Sequence, residues 1–199
     1  MIRNSIPFIS FLILMTTLVV RIGMLKKKGI QTGSGNGEKS PAKRILLPVF
    51  SLVILIWIFE IVRPAFHVEF RVLPGFLCDV LIGNTILNVS GAILILISLV
   101  LWFLTLKDFG SSLRFGLQSE NQGKLVSTGI FARSRNPFFL SLDLYFVGVA
   151  MMIPSVFQIM FALAAVLGIH FFILKEERFL ASVHGAKYLG YCKKVRRYF

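Results

Sequence analysis

The stretch that decides the fold runs from Arg135 to Glu177: RNPFFLSLDLYFVGVAMMIPSVFQIMFALAAVLGIHFFILKEE. Two apolar runs, Pro137 to Ile153 and Ser155 to Leu174, meet at Pro154 with no charge between them. Each approaches the ~20 residues that a hydrocarbon core of ~30 Å requires. Backbone amides in lipid are satisfied only inside a helix or a closed barrel, so both runs read as helices. The short turn forces them to lie antiparallel as a hairpin. Asn136 is a favoured N-cap residue and Pro137 suits the first helical position, so the pair predicts a helix start.

Working outward, the chain has 199 residues, 56% of them hydrophobic, and a mean hydropathy of +0.79. Water-soluble domains average nearer ~45 to 50% apolar residues, so the sequence belongs in a bilayer. Three further apolar runs, Ile6 to Leu25, Ile45 to Val62 and Val80 to Leu106, predict an all-α polytopic bundle of about five transmembrane helices with a helical C-terminal tail. The first run is long for a removable signal peptide and is read as a membrane helix, with a signal anchor as the alternative. Residues 1–106 form an N-terminal set of three spans. Residues 107–199 hold a polar loop, the hairpin 137–174 and the tail.

A net charge of +13 would suggest nucleic acid in a soluble protein, but here it sorts by loop. Lys26, Lys27, Lys28, Lys39, Lys43 and Arg44 fall in the basic loop 26–44 between the first two spans. Lys107, Arg114, Lys124, Arg133 and Arg135 precede the hairpin, and Lys175 onward is basic again. The intervening loops are balanced or uncharged. That alternation predicts a cytoplasmic face for the basic loops and the C-terminus, an outside N-terminus, and no nucleic-acid partner. Cys78 and Cys192 then fall on opposite sides and cannot pair, and the scattered His67, His170 and His184 predict no metal site.

Lys26 to Lys43 is Gly/Ser-rich and charged, a spacer by composition. Lys107 to Pro137 differs, because apolar residues such as Leu125, Val126, Ile130 and Phe131 interrupt a polar, Gly-punctuated run and suggest a folded loop on the membrane face. After the hairpin, Phe179, Leu180, Val183, Tyr188, Leu189 and Tyr191 keep a helical period, predicting a tail helix that folds back.

Three places invite chemistry. The helix start at Asn136 offers free N–H groups and a positive dipole end, with Arg133 and Arg135 beside it, suited to an anionic group. Glu176 and Glu177 stand where the apolar run ends; at a helix C-terminus they would oppose the dipole, and local violations of this kind are enriched at functional sites. A solvated pair bridging to the basic tail is the plainer alternative. Asp143, two turns inside a membrane run, needs a polar partner or cavity, since a charge there costs at least ~2.5 kcal/mol. His170 is the candidate partner. Glu60 is expected to snorkel to an interface.

GKLVSTGIFARSRNPFFL, Gly123 to Leu140, followed by KEERFLASVHGAKYLGYCKKV, Lys175 to Val195, resembles the superfamily of integral membrane methyltransferases that includes isoprenylcysteine carboxyl methyltransferases and phospholipid N-methyltransferases. The resemblance spans roughly Leu99 to Val195 and rests on two motifs in order: LVxxGxYxxxRHPxY, and a Glu-Glu pair ahead of GxxYxxY. It implies S-adenosylmethionine as cofactor, bound at the cytosolic face by Gln118, Gly123, Lys124, Leu125, Val126, Phe131, Asn136, Pro137, Phe139 and Glu176. It implies a lipidic or prenylated acceptor entering from the bilayer, with Asp143, His170 and Phe172 toward the acceptor. The catalytic group is unassigned, because methyl transfer needs alignment and exclusion of water rather than an enzyme nucleophile or a metal.

The departures from the motif are specific. Asn136 stands for the histidine, as in the phospholipid-type branch, and Phe131 and Phe139 stand for the tyrosines. Phe172 occupies the position where the carboxyl methyltransferase branch has an arginine, which makes a carboxylate acceptor harder to orient. The alternatives are an NADPH-dependent enzyme like the membrane sterol reductases, with Arg133, Arg135, Lys193, Lys194, Arg196 and Arg197 meeting a 2′-phosphate, and a non-catalytic membrane scaffold.

Overall fold

In a computed structural model of the protein, the described residues are 2–29, 41–110 and 125–198, with the side chains of 2, 3 and 41–46 left aside. All regular elements among them are helical: α1 (Ile2–Lys27), α2 (Pro41–Phe66), the single turn α3 (Gly75–Cys78), α4 (Thr85–Phe109), a 3-10 turn (Gly129–Ala132), α5 (Pro137–Met152) and α6 (Val156–Lys194). Four of these, α1, α2, α4 and α6, are long and apolar enough to cross a membrane. The remaining expected span, Pro137 to Ile153, forms α5 with 16 residues, about 24 Å at ~1.5 Å per residue, short of a full hydrocarbon core.

Two boundaries differ most from the hydropathy reading. The third span begins at Thr85 rather than Val80, because Asn84 caps it: its side-chain oxygen accepts from the Ile86 amide at 2.8 Å. The residues before it are tied down instead, with the Leu81 amide donating to the Pro154 carbonyl in the hairpin turn. The last helix does not stop at Leu174. Its apolar half is followed by Lys175, Glu176, Glu177 and Arg178, all good helix formers, so it runs for 39 residues to Lys194. The two glutamates therefore sit mid-helix, and the expected conflict with a C-terminal dipole does not arise. The fold-back comes later, at Gly185, whose φ of 51° and ψ of −129° break the helix direction. Only glycine takes that conformation without strain.

The α4–α5 crossing sets the core. Gly91 and Gly148 face each other so closely that a Cβ on Gly91 would lie 2.7 Å from the Gly148 carbonyl oxygen. Small residues at such a crossing let helices approach where lipid gives no hydrophobic drive to associate. Polar groups finish the packing: Ser98 donates to the Ser141 carbonyl at 2.6 Å, Tyr145 to the Pro7 carbonyl at 2.7 Å, and the Trp102 indole to Thr17 at 2.9 Å. Outward-facing Leu47, Ile86 and Phe171 are exposed, as side chains meeting acyl chains should be. Glu60 is buried and pairs with Arg63 at 3.2 Å, a partner the snorkelling expectation did not include.

Candidate functional site

The site is built where α5 starts. Thr128 and Gly129 open a 3-10 turn that the α4 end holds in place: Asp108 accepts from the Ile130 amide at 2.7 Å. The turn buries Phe131 edge-on against Phe109, ring centroids 4.7 Å apart. Its carbonyl accepts from the Tyr191 hydroxyl at 2.5 Å. Leu125, the first described residue of this segment, packs on the Tyr188, Tyr191 and Val195 cluster of the tail. Val126 follows it, half-buried.

Asn136 occupies the N-cap position with Pro137 next, as the sequence predicts, but its side chain does not cap the helix. Its Nδ2 reaches across to Glu177 Oε1 at 3.0 Å and to the Arg197 carbonyl at 3.3 Å. Arg135 crosses in the same direction, 2.9 Å from Glu177 Oε1, and Arg197 meets Glu177 Oε2 at 2.9 Å. Three donors thus converge on one carboxylate. The Glu177 hydrogen bond in turn holds the Arg197 guanidinium pKa above its ordinary value. Arg135 also closes the end of α6, donating to the Cys192 and Val195 carbonyls at 3.2 and 3.0 Å, while its amide donates to the Arg196 carbonyl. The last carbonyls of a helix have no partner within it, and an arginine fork from a neighbouring segment supplies one.

Arg133 is exposed, whereas Arg135 is paired with Glu177. Among the described residues, the negative group beside the α5 start is Glu177. Glu176, the residue singled out from the motif, lies beside it with Oε2 buried and unpartnered among the described residues. Of the two acids, then, Glu177 is the structural partner of Asn136, and Glu176 keeps a buried oxygen with no partner among the described residues.

Deeper along the hairpin, the rings of Phe139 and Phe172 lie 5.4 Å apart. Asp143 is buried, and its Oδ1 has no partner among the described residues. His170 does not pair with it. Its Nδ1 lies 2.7 Å from the hydroxyl of Tyr198, brought back by the tail. Gln118, Gly123 and Lys124 lie outside the described residues. The structure therefore brings Leu125, Phe131, Asn136 and Glu176 to one end of the hairpin, and Asp143 and His170 to a level further in. The sequence reading did not single out Asp108 or Tyr198, whose signals were weak, and it offered Arg197 only to a 2′-phosphate, whereas the structure pairs it with Glu177.

Among the described residues no group of three or more His, Cys, Asp or Glu could hold a metal ion. The sequence profile of the phospholipid methyltransferase family matches residues 86–187, more than half of the chain. That stretch runs from the first turn of α4 through the 3-10 turn and hairpin to just beyond the Gly185 break. No individual curated protein matches the chain. The matched segment contains the convergence of Asn136 on Glu177, and the chain belongs to the phospholipid methyltransferase family as an integral membrane methyltransferase.

Proposed function

We propose that the protein moves a methyl group from S-adenosylmethionine to a lipidic or membrane-partitioned acceptor. The observation that carries this reading is Glu176: a buried carboxylate oxygen without a partner among the described residues, next to a carboxylate whose two oxygens are both engaged. A buried charged oxygen left unpaired is costly, which favours a ligand that supplies hydroxyls or positive charge there. The donor offers both, in its ribose and its sulfonium. When bound, it supplies an electrophilic methyl group.

The chain's own residues would do the rest. Leu125, Val126 and the buried Phe131 form an apolar wall beside the tail aromatics, and aromatic faces attract a sulfonium as they do other cations. The family resemblance implies that Gln118, Gly123 and Lys124 take part in binding the donor as well. Asn136 and Pro137 fix the α5 start, and through Glu177 they hold α6 so that Glu176 points consistently. Phe139 and Phe172 close the lipid side and exclude water, which lets alignment alone lower the barrier. The basic ends of the helices, and so this site, would face the cytoplasm by the positive-inside tendency.

Titration calorimetry of detergent-purified protein tests this. S-adenosylmethionine should bind, NADPH should not, and Glu176→Ala should weaken the methyl donor at least ~10-fold, or ~1.4 kcal/mol. No heat with the methyl donor, or an unchanged affinity in Glu176→Ala, would remove the reading.

A further inference from the structure

A groove of about 310 Å³ runs between α1 and α4, lined from α1 by Val20, Arg21 and Met24 and from α4 by Phe103, Leu106 and Lys107. Arg21 stands well inside α1, between one and two turns before its end at Lys27. A snorkelling arginine would send its head group out to water. This one turns to α4 instead. A terminal guanidinium nitrogen donates to the Gly110 carbonyl at 2.7 Å, and Nε is buried with no partner among the described residues. The bond to Gly110, just past the last residue of α4, puts Arg21 level with the exposed Lys107. Among the described residues neither cation has an acidic partner. A buried donor without an acceptor is costly, and a guanidinium pairs best with an oxyanion.

The remaining lining decides which anion fits. Val20, Met24 and Phe103 are exposed large hydrophobics on helices of membrane length, and such side chains meet acyl chains. Phe103 lies one turn deeper than Lys107, so apolar surface continues inward from the two charges. Cations at the mouth and apolar walls below match an amphiphile with an anionic head, and basic pockets between membrane helices take such headgroups. The geometry points to a binding site for one anionic phospholipid, its phosphate on Arg21 and Lys107 and the upper part of an acyl chain along Val20 and Phe103. A zwitterionic lipid fits less well, because its ammonium group would stand near the same two cations. The bound lipid is not the methyl acceptor. Among the described residues the lining comes from α1 and α4 and includes no carboxylate or imidazole, while Asp108 and Phe109, next along α4, contact the 3-10 turn instead.

Native mass spectrometry of the full chain in detergent tests this, with dioleoylphosphatidylglycerol and dioleoylphosphatidylcholine as probes. Wild type should hold one phosphatidylglycerol at least tenfold more tightly than phosphatidylcholine. Lys107→Gln should weaken that binding about fivefold, the effect of one basic residue near an anionic surface, and Arg21→Gln at least as much. Val20→Trp keeps both charges but fills the groove, and should weaken it comparably. Lys193→Gln removes an exposed charge from the tail and should change it less than twofold. Equal affinities of the wild type for the two lipids would overturn the site. So would a loss in Lys193→Gln matching that in Lys107→Gln, which marks diffuse attraction to a basic face. Displacement of the lipid by millimolar inorganic phosphate would mark an ion site and overturn the lipid assignment. If Arg21→Gln does not fold, Lys107→Gln and Val20→Trp decide: unchanged lipid binding in either overturns it.

Discussion

Asn136 Nδ2 lies 3.0 Å from Glu177 Oε1, joining the N-cap residue of one hairpin helix to the middle of the other across 41 residues of chain. The same carboxylate accepts from Arg135 and Arg197, so the start of α5, the middle of α6 and the end of the chain share one charge centre. Glu177 and Arg135 are each 11% exposed at the side chain, Arg197 35%. Removing one partner of a buried pair leaves an uncompensated charge, at about 3 to 5 kcal/mol. Glu177→Gln should therefore lower the thermal midpoint in detergent sharply, and Arg197→Gln much less, because water can reach that guanidinium. Equal losses in the two variants would contradict the burial argument.

Arg135 should not tolerate lysine. Its fork reaches Glu177 together with the Cys192 and Val195 carbonyls, and a single ammonium cannot span all three. In Arg135→Lys the segment after Gly185 should loosen, and limited proteolysis should cut between residues 186 and 198 several times faster than in the wild type. A cleavage rate matching the wild type would show that the tail is held by its aromatic cluster alone.

The α4–α5 crossing predicts a steric effect in both directions of the contact. A methyl at Gly91 would meet the Gly148 carbonyl at 2.7 Å, and one at Gly148 would meet Ile95 Cγ1 at 2.8 Å and the Gly91 carbonyl at 2.9 Å. Two of these neighbours are backbone and cannot rotate away. Gly91→Ala and Gly148→Ala should each destabilise by about 1 to 3 kcal/mol, read from denaturant midpoints. Gly168, with open space around its Cβ position, is the control and should accept alanine.

Asp108 gives a test of the loop anchor. Its carboxylate holds the Ile130 amide at 2.7 Å, so Asp108→Ala should free the 3-10 turn at about 1 to 3 kcal/mol. Because that turn carries Phe131, methyl-donor affinity should fall in parallel. Asp108→Asn keeps an acceptor oxygen and should recover most of both losses.

The amino-acid sequence determined what local chemistry and solvent preference can determine. Apolar runs of membrane length are legible because every peptide group in lipid must be bonded within its own helix, and the Asn136-Pro137 start is legible because capping is a local rule. The paired motifs pointed to the family that the profile match shows. Tertiary structure decided which acid does what. Glu176 and Glu177 are neighbours of one type, and only the arrival of Arg135 and Asn136 from the hairpin start and Arg197 from the tail makes one a structural hub, while an oxygen of the other has no partner among the described residues. The same holds for His170, which sequence spacing offered to Asp143 but which the returning tail gave to Tyr198. Helix continuity past Leu174 belongs to this second class too: hydropathy marks where a chain leaves apolar surroundings, whereas helix propensity and tail packing decide where the helix ends.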